Sequence, residues 1–486
     1  MRTAVFRAGL WLAIGVALGR LAGFFREAIL AARFGRTAEG DAAVLVLTLP
    51  DTVINLLVGS AMTVALIPPL AALRPLGGDR ALVRQALVVG GLAGIGLWLG
   101  LAAAGVSLVT LLAPKLPPAA AAAVAGVLPI ALAAIPAAVL SSVLGAALQE
   151  RYRTATTALG TLLFNGAVIA GLLLAGPGAT LAALAVAMVV GAGLRCGLQA
   201  WDYRRDGPLP STPAPATPGL VRAYVQALLA GAAILLVPVL GRAFASQAGE
   251  GEIAAYTYAC KLFELPLGVA LTVVAQALFA KLSALRSEGK EAEARTLLGQ
   301  GLMIVMLLSG VCAGVLAGAG PILAEAAFAR GRMAVADAHH IGALAAWLAL
   351  ALPAAAVASL VVGWRNAGRD TRSPLVAGLI GLAVFTLVAV GGQHSWGIQA
   401  VVGATVALHI TVMGWLMWVA RNEVPWTPGI LLPGVVAAIL AWGASVMIPA
   451  EAGIITRLGL AVAAGAVALA GGGIMVPTVR ARLRRR

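Results

Sequence analysis

Two guanidinium groups stand inside a stretch apolar enough to enter a bilayer. The run from Ala4 to Arg33 reads AVFRAGLWLAIGVALGRLAGFFREAILAAR, with Arg20 and Arg26 well within it and Glu27 beside the second. Arginine in the hydrocarbon region costs at least ~2.5–3.5 kcal/mol on insertion scales, so a helix carrying two turns them toward a bundle interior or a wet cavity. The chemistry expected there is capture of an anion. The plainer alternative is that both lie near an interface and snorkel out along their aliphatic stems.

Two further constellations carry charge into apolar runs. In the second run, Asp41 stands at the start, and Asp51 and Asn55 lie inside, just after Pro50. A proline frees backbone groups, so Asp51 also reads as a local cap at a helix break. In the eighth run, Lys261 and Glu264 precede Pro266 and are spaced i, i+3, which puts them on one helical face and lets them pair. They are either a self-contained ion pair or, meeting Arg20 and Arg26 across a cavity, part of a cationic site with one balancing acid.

The elements that must position these residues are membrane helices. Of the 486 residues, 61% are hydrophobic and only 11% charged, whereas soluble domains carry about 25% charged residues. Apolar runs recur along the whole length without the alternation of a transmembrane β-barrel, so the fold class is an all-α polytopic membrane protein. Fourteen spans are predicted, near 4–33, 41–72, 81–113, 119–149, 154–175, 179–201, 219–246, 252–284, 296–326, 338–364, 373–392, 396–420, 428–448 and 452–477.

Basic residues cluster in alternate gaps, at Arg74, Arg80 and Arg84, at Arg151 and Arg153, at Arg204 and Arg205, at Arg286 and Lys290, at Arg365, Arg369 and Arg372, and in the terminal RARLRRR. The positive-inside rule then places both termini in the cytoplasm, and the net charge of +15 reflects orientation in the membrane rather than nucleic-acid binding. The first run resembles a signal peptide, but it continues past Arg20 without a convincing cleavage site and reads as a retained helix.

Residues 202–218, DYRRDGPLPSTPAPATP, form a proline-rich cytoplasmic linker. The halves it separates are similar: VALIPPLAALR at 64–74 and QALFAKLSALR at 276–286 each end a proline-bearing second span. This suggests parallel six-helix repeats, with an N-lobe at 1–201, a C-lobe at 219–421, and two added spans plus a basic tail at 422–486. Spans 1, 2, 7 and 8 would then face a cavity.

Cys196, Cys260 and Cys312 lie in or beside apolar runs and read as small buried hydrophobes. His339 and His340 start span 10, His394 falls in an external gap, and His409 lies in span 12, with no ligand spacing among them. No phosphate loop, metal cluster or nucleophile with a paired base is legible, so neither cofactor nor metal is expected.

Several motifs, in order, resemble the MurJ (MviN) family of lipid II flippases within the multidrug/oligosaccharidyl-lipid/polysaccharide exporter superfamily. They are Arg20-x-x-Gly23-Phe24-x-Arg26-Glu27 followed by Phe34-Gly35, Asp41, Leu49-Pro50 and Ala65-x-x-Pro68; Lys261-Leu-Phe-Glu264-Leu-Pro266-x-Gly268; Phe328-x-Arg330-Gly331-x-Met333-x-x-x-Asp337; and Gly368-Arg369-Asp370-Thr371-Arg372-Ser373-Pro374, with fainter matches at Gly145, Gln149 and Asn165.

The resemblance implies two six-helix lobes in a V around a central cavity, plus two C-terminal helices that form a groove for a polyprenyl tail. It also implies that Arg20, Arg26 and Lys261 bind the pyrophosphate of lipid II and that Asp41 is the cavity acid; Glu264, Asp51, Asn55, Pro50 and Pro266, from the constellations above, are expected to support that site. The protein would be a transporter of a bacterial cytoplasmic membrane, not an enzyme; a monomer is expected, although the sequence itself does not fix the oligomeric state. It would contact lipid but no nucleic acid, and be driven by the membrane potential or an ion gradient.

The chain departs from the family at Ile54 and Asn55, where a basic pair is usual, and at Gly59-Ser60-Ala61, where the family has Glu-Gly-Ala. The alternatives are a flippase for another polyprenyl-pyrophosphate glycan, a superfamily drug exporter, a membrane transferase and an inactive scaffold. The exporter would need an acid-rich core, and the transferase clustered loop acids.

Overall fold

Lipid offers the backbone no hydrogen-bond partners, so a spanning chain satisfies its peptide groups within helices. The computed structural model describes residues 2–58, 60–175, 180–213, 217, 219–268, 272–368, 370–424 and 426–474, and every regular element among them is helical. Gly59, Arg369, four linker residues (214–216 and 218) and the basic tail lie outside the described residues.

Contacts divide the chain into two compact units, Met1–Ala254 and Ala255–Arg486. The first holds α1 (Arg2–Phe34), α2 (Ala38–Val58), α3 (Ser60–Leu73), α4 (Asp79–Ala103), α5 (Gly105–Leu112), α6 (Pro118–Leu132), α7 (Ala134–Glu150), α8 (Ala155–Leu174), α9 (Leu181–Arg204) and α10 (Leu220–Ala245). After α11 (Glu252–Pro266), which begins at the division, the second holds α12 (Thr272–Ser287), α13 (Glu291–Phe328), α14 (Val335–Leu348), α15 (Leu352–Ala367), α16 (Arg372–Trp396), α17 (Ile398–Val419), α18 (Pro428–Val446) and α19 (Ile454–Ile474).

Each of the fourteen expected spans is met by one helix or by two in succession, the divided ones being α2–α3, α4–α5, α6–α7, α11–α12 and α14–α15. Among the described residues, ten spans have the length and apolar character to cross a membrane. Their outer faces expose large apolar side chains, such as Leu174 at 88% and Leu387 and Val462 at 73% each. Surfaces of that kind are stable against lipid rather than water, and the chain is a multi-pass membrane protein. One boundary differs from expectation: α16 continues to Trp396, so His394 lies in its last turn rather than in a loop.

Small residues set the packing in the first unit. Gly15, Gly19 and Gly23 form one stripe of α1 that faces Ala158, Thr161 and Asn165 of α8, so the two helices run parallel in close contact. Asn165 fixes the register by donating from Nδ2 to the Gly19 carbonyl at 3.3 Å. Helix α9 returns antiparallel on α8, with Ala187, Gly191 and Arg195 opposite Gly171, Phe164 and Gly160. Helix α10, which follows the linker, packs on α3 and α2. The start of the linker is itself pinned, since Arg80 donates to the Asp206 and Gly207 carbonyls and Arg84 to that of Ser211.

The second unit repeats the small-residue device. Gly310, Gly314 and Gly318 of α13 lie against Gly434, Ala438 and Trp442 of α18, and backbone meets backbone at Gly310. Any side chain there would force the helices apart, so this stripe is what joins the added C-terminal helices to the unit.

Matching ion networks close one end of each unit. In the first, Arg151 bridges Asp79 and Asp206, and Arg153 bridges Asp202 and Asp206, with the ring of buried Tyr203 beneath Arg151. In the second, Arg365 bridges Glu423 and Asp370, and Arg286 pairs with Glu291 at 3.3 Å and lies over the ring of buried Trp364. The pattern recurs six spans on: an acid opens span 3 or 9, an arginine closes span 4 or 10, and an acid closes span 6 or 12. Several arginines of the basic gaps are thus paired structural groups.

Candidate anion-binding site

Arg26 and Arg20 share α1 but differ sharply in environment. Arg26 is buried, its side chain 8% exposed, and its guanidinium donates to Glu27 at 3.0 Å and reaches Asp51 of α2 at 3.1 Å. Glu27 is fully buried, with one oxygen left without a partner, as is Arg26 Nε. Asp51 is therefore an interhelical ion partner, not the local cap that its position after Pro50 also allowed. Arg20 is exposed, and among the described residues it forms no hydrogen bond or ion pair.

A proline interrupts the helical hydrogen bonding beside this cluster. Pro50 lies inside α2 and cannot donate to the carbonyl four residues back. The hydroxyls of Thr48 and Thr52 flank it and donate to the Val44 and Thr48 carbonyls, both at 2.7 Å. Such back-bonding favours a bent helix. Asn55, one turn beyond Asp51, is exposed.

Asp41 stands apart from the arginines. It is buried, and its two carboxylate oxygens accept the backbone amides of Gly251 and Ala254, each at 2.8 Å. A carboxylate in that position caps the start of α11 and complements its dipole. Two neighbours tighten the same clamp: Arg36 pairs with Glu252 at 3.1 Å, and the Ala38 amide donates to Glu250 at 3.1 Å. Gly251 has φ +77°, and a Cβ there would lie 2.7 Å from Arg36, so glycine is required on both counts.

In the second unit, Lys261 Nζ donates to Glu264 at 2.8 Å, the pairing their spacing allows. Pro266 ends α11, and a π turn follows at 267–268. Tyr256 bonds Thr405 at 3.0 Å, and Tyr258 stacks on Phe328, so α11 is held against α17 and α13. The structure thus brings Arg26, Glu27 and Asp51 together, pairs Lys261 with Glu264, and uses Asp41 as a cap. Among the described residues, no group of His, Cys, Asp and Glu has the arrangement to hold a metal ion. The three cysteines are free and only partly buried.

One charged residue of this region escaped the sequence reading. Arg195 lies inside apolar α9, the same signal that marks Arg20. Its stem lies over Gly160 of α8, where a Cβ would approach Cγ to 2.9 Å and Nε to 3.3 Å. Asp51, the ion partner of Arg26, also contributes to the electrostatic environment of Arg195 without pairing with it.

Comparison with known proteins agrees with this architecture. A solved structure of "Lipid II flippase MurJ, inward closed conformation" matches with a TM-score of 0.84 over 96% of this chain and 98% of that one, at 15% identity. An inward-facing multidrug-resistance transporter of the MATE family matches at 0.69 over 84% of this chain and 98% of that one, at 13% identity. At these identities the likeness concerns the fold.

Among sequences, the "Probable lipid II flippase MurJ" of Bdellovibrio bacteriovorus is 27% identical over 44% of this chain, and that of Rhizobium meliloti is 28% identical over 35%. The matched stretches span only 41% and 32% of those two relatives. The model of the family described as lipid II flippase MurJ covers residues 30–468, and the chain belongs to that family.

Proposed function

We propose that this chain is a flippase that carries lipid II from the inner to the outer leaflet of a bacterial cytoplasmic membrane by alternating access. The observation that carries the reading is a family match from residue 30 to residue 468 on a chain whose first helix bears intramembrane arginines. Both termini are cytoplasmic in this reading, which rests on the alternation of basic loops.

The transported anion is a pyrophosphate, and its oxygens match the bidentate donors of a guanidinium. Arg20 is the residue most available to it, being exposed and without a protein partner among the described residues. Arg26 and Lys261 add positive charge, each already balanced by carboxylates that the substrate would displace or share. Asp51 and Asn55 support the cations of α1 and Glu264 supports Lys261, Pro50 and Pro266 interrupt the hydrogen bonding of α2 and α11, and Asp41 holds the start of α11.

The flippase makes and breaks no covalent bond and works as a monomer without a cofactor. An inward-negative potential favours return of the cationic empty site, at ~2.3 kcal/mol per charge per 100 mV.

Complementation of a bacterium depleted of its own lipid II flippase tests the proposal. The wild-type chain rescues growth, and Arg20→Ala does not, although both reach the membrane equally. Failure of the inserted wild-type chain overturns lipid II as the substrate. It would favour a flippase for another polyprenyl-pyrophosphate glycan, a reading that Ile54 and Asn55 support by standing where the family carries a basic pair.

A further inference from the structure

We propose that Arg195 of α9 is a binding residue for the pyrophosphate of the lipid-linked substrate, acting with Arg20 and Arg26 from within the first unit. The proposal rests on the flippase reading and extends it to a helix that neither the motifs nor the comparisons assign.

Four observations carry it. First, Arg195 lies far from either helix end, about 14 Å from Arg204 and about 21 Å from Leu181 at ~1.5 Å per residue. An arginine at that depth needs a wet or anionic partner. Second, the protein provides little of one. Nε is buried and has no hydrogen-bond partner, and among the described residues the side chain forms no hydrogen bond or ion pair.

Third, its terminal nitrogens, unlike Nε, are not among the fully buried unpaired atoms, so the donor end of the side chain keeps some accessible surface. Fourth, the register along α8 sets it level with Arg20. Arg195 lies over Gly160, while Gly19, the neighbour of Arg20, lies against Thr161. Asp51 pairs with Arg26 and contributes to the electrostatic environment of Arg195, while Arg20 has no protein partner among the described residues, so the carboxylate charge here is spread thinly over the arginines. That leaves donor capacity for an anion. A pyrophosphate, with several oxygens and more than one charge, fits this better than a single carboxylate.

The lesser role to be separated is that Arg195 merely balances Asp51. The measurement is affinity of the purified full-length protein in nanodiscs for a polyprenyl pyrophosphate, with the uncharged polyprenol as control. Arg195→Gln should weaken pyrophosphate binding about tenfold or more, the size expected for losing charge-assisted hydrogen bonds. Polyprenol binding should not change, and Arg195→Lys should recover part of the loss. The double variant Arg195→Gln with Asp51→Asn should stay weak, because charge balance is restored but the donors are not.

Wild-type affinity in Arg195→Gln overturns the inference, as does full recovery in the double variant. If Arg195→Gln does not fold, Gly160→Ala reads the same point by displacing the guanidinium, and unchanged affinity there also overturns it. A wild-type chain that binds no polyprenyl pyrophosphate overturns the flippase reading itself, whereas a binding wild type with an indifferent Arg195→Gln overturns this inference alone.

Discussion

Replacing Arg26 by methionine keeps most of the aliphatic stem and removes the charge, so the ion cluster of α1 and α2 can be weighed directly. Arg26 lies 3.0 Å from Glu27 and 3.1 Å from Asp51, and the side chains of Arg26 and Glu27 are 8% and 1% exposed. Removing one partner of a buried pair costs about 3–5 kcal/mol, because the remaining charge stays buried or must be neutralised. Asp51 is 22% exposed and retains the charge of Arg195, so Glu27 dominates the loss. The lower end, about 3 kcal/mol, is therefore expected for Arg26→Met.

Adding Glu27→Gln removes the stranded charge and should restore most of that stability. Reversible unfolding by SDS titration of the purified protein measures both variants. Flipping separates structure from function, since the double variant folds but should not rescue a flippase-depleted strain if Arg26 also meets the substrate. The reasoning is refuted if Arg26→Met unfolds within about 1 kcal/mol of wild type, or if the double variant is no more stable than the single one.

Two further outcomes follow from the same geometry. Asp41→Ala leaves the Gly251 and Ala254 amides without their acceptor and should cost about 1–2 kcal/mol, with Asp41→Asn losing less, by the same titration. At the α15–α16 turn, burial acts to raise the pKa of Asp370, but hydrogen bonds from Ser373 and Arg365 outweigh it and hold the carboxyl well below its usual value of 3.8. A carboxyl depressed in the folded state contributes stability that is present above its unfolded pKa and lost as pH falls below it. Thermal stability of the wild type should therefore drop more steeply below about pH 4 than that of Asp370→Asn.

The i, i+3 spacing of Lys261 and Glu264 stated their pairing, because neighbours on one helical face are fixed by local geometry. The partners of Asp41 and Asp51 were not legible in that way. Asp41 bonds amides more than two hundred residues away, and nothing in its own segment marks them. Arg195 was legible in principle by the rule that singled out Arg20, and it passed unremarked in a run read only for its length.

Length and hydropathy by themselves determined that this chain is all-helical and multi-pass. Those properties follow from sums over a local window: a peptide group in lipid must bond within its own helix, whatever the neighbours are. Tertiary structure alone decided which charges meet. The glycine stripe of α1 sets its register on α8, that of α8 sets α9, and the stacking brings Arg195 within the electrostatic reach of Asp51, the partner of Arg26. A charge inside an apolar run announces that it needs a partner, but the packing of small residues on other faces of the helix determines which partner it finds.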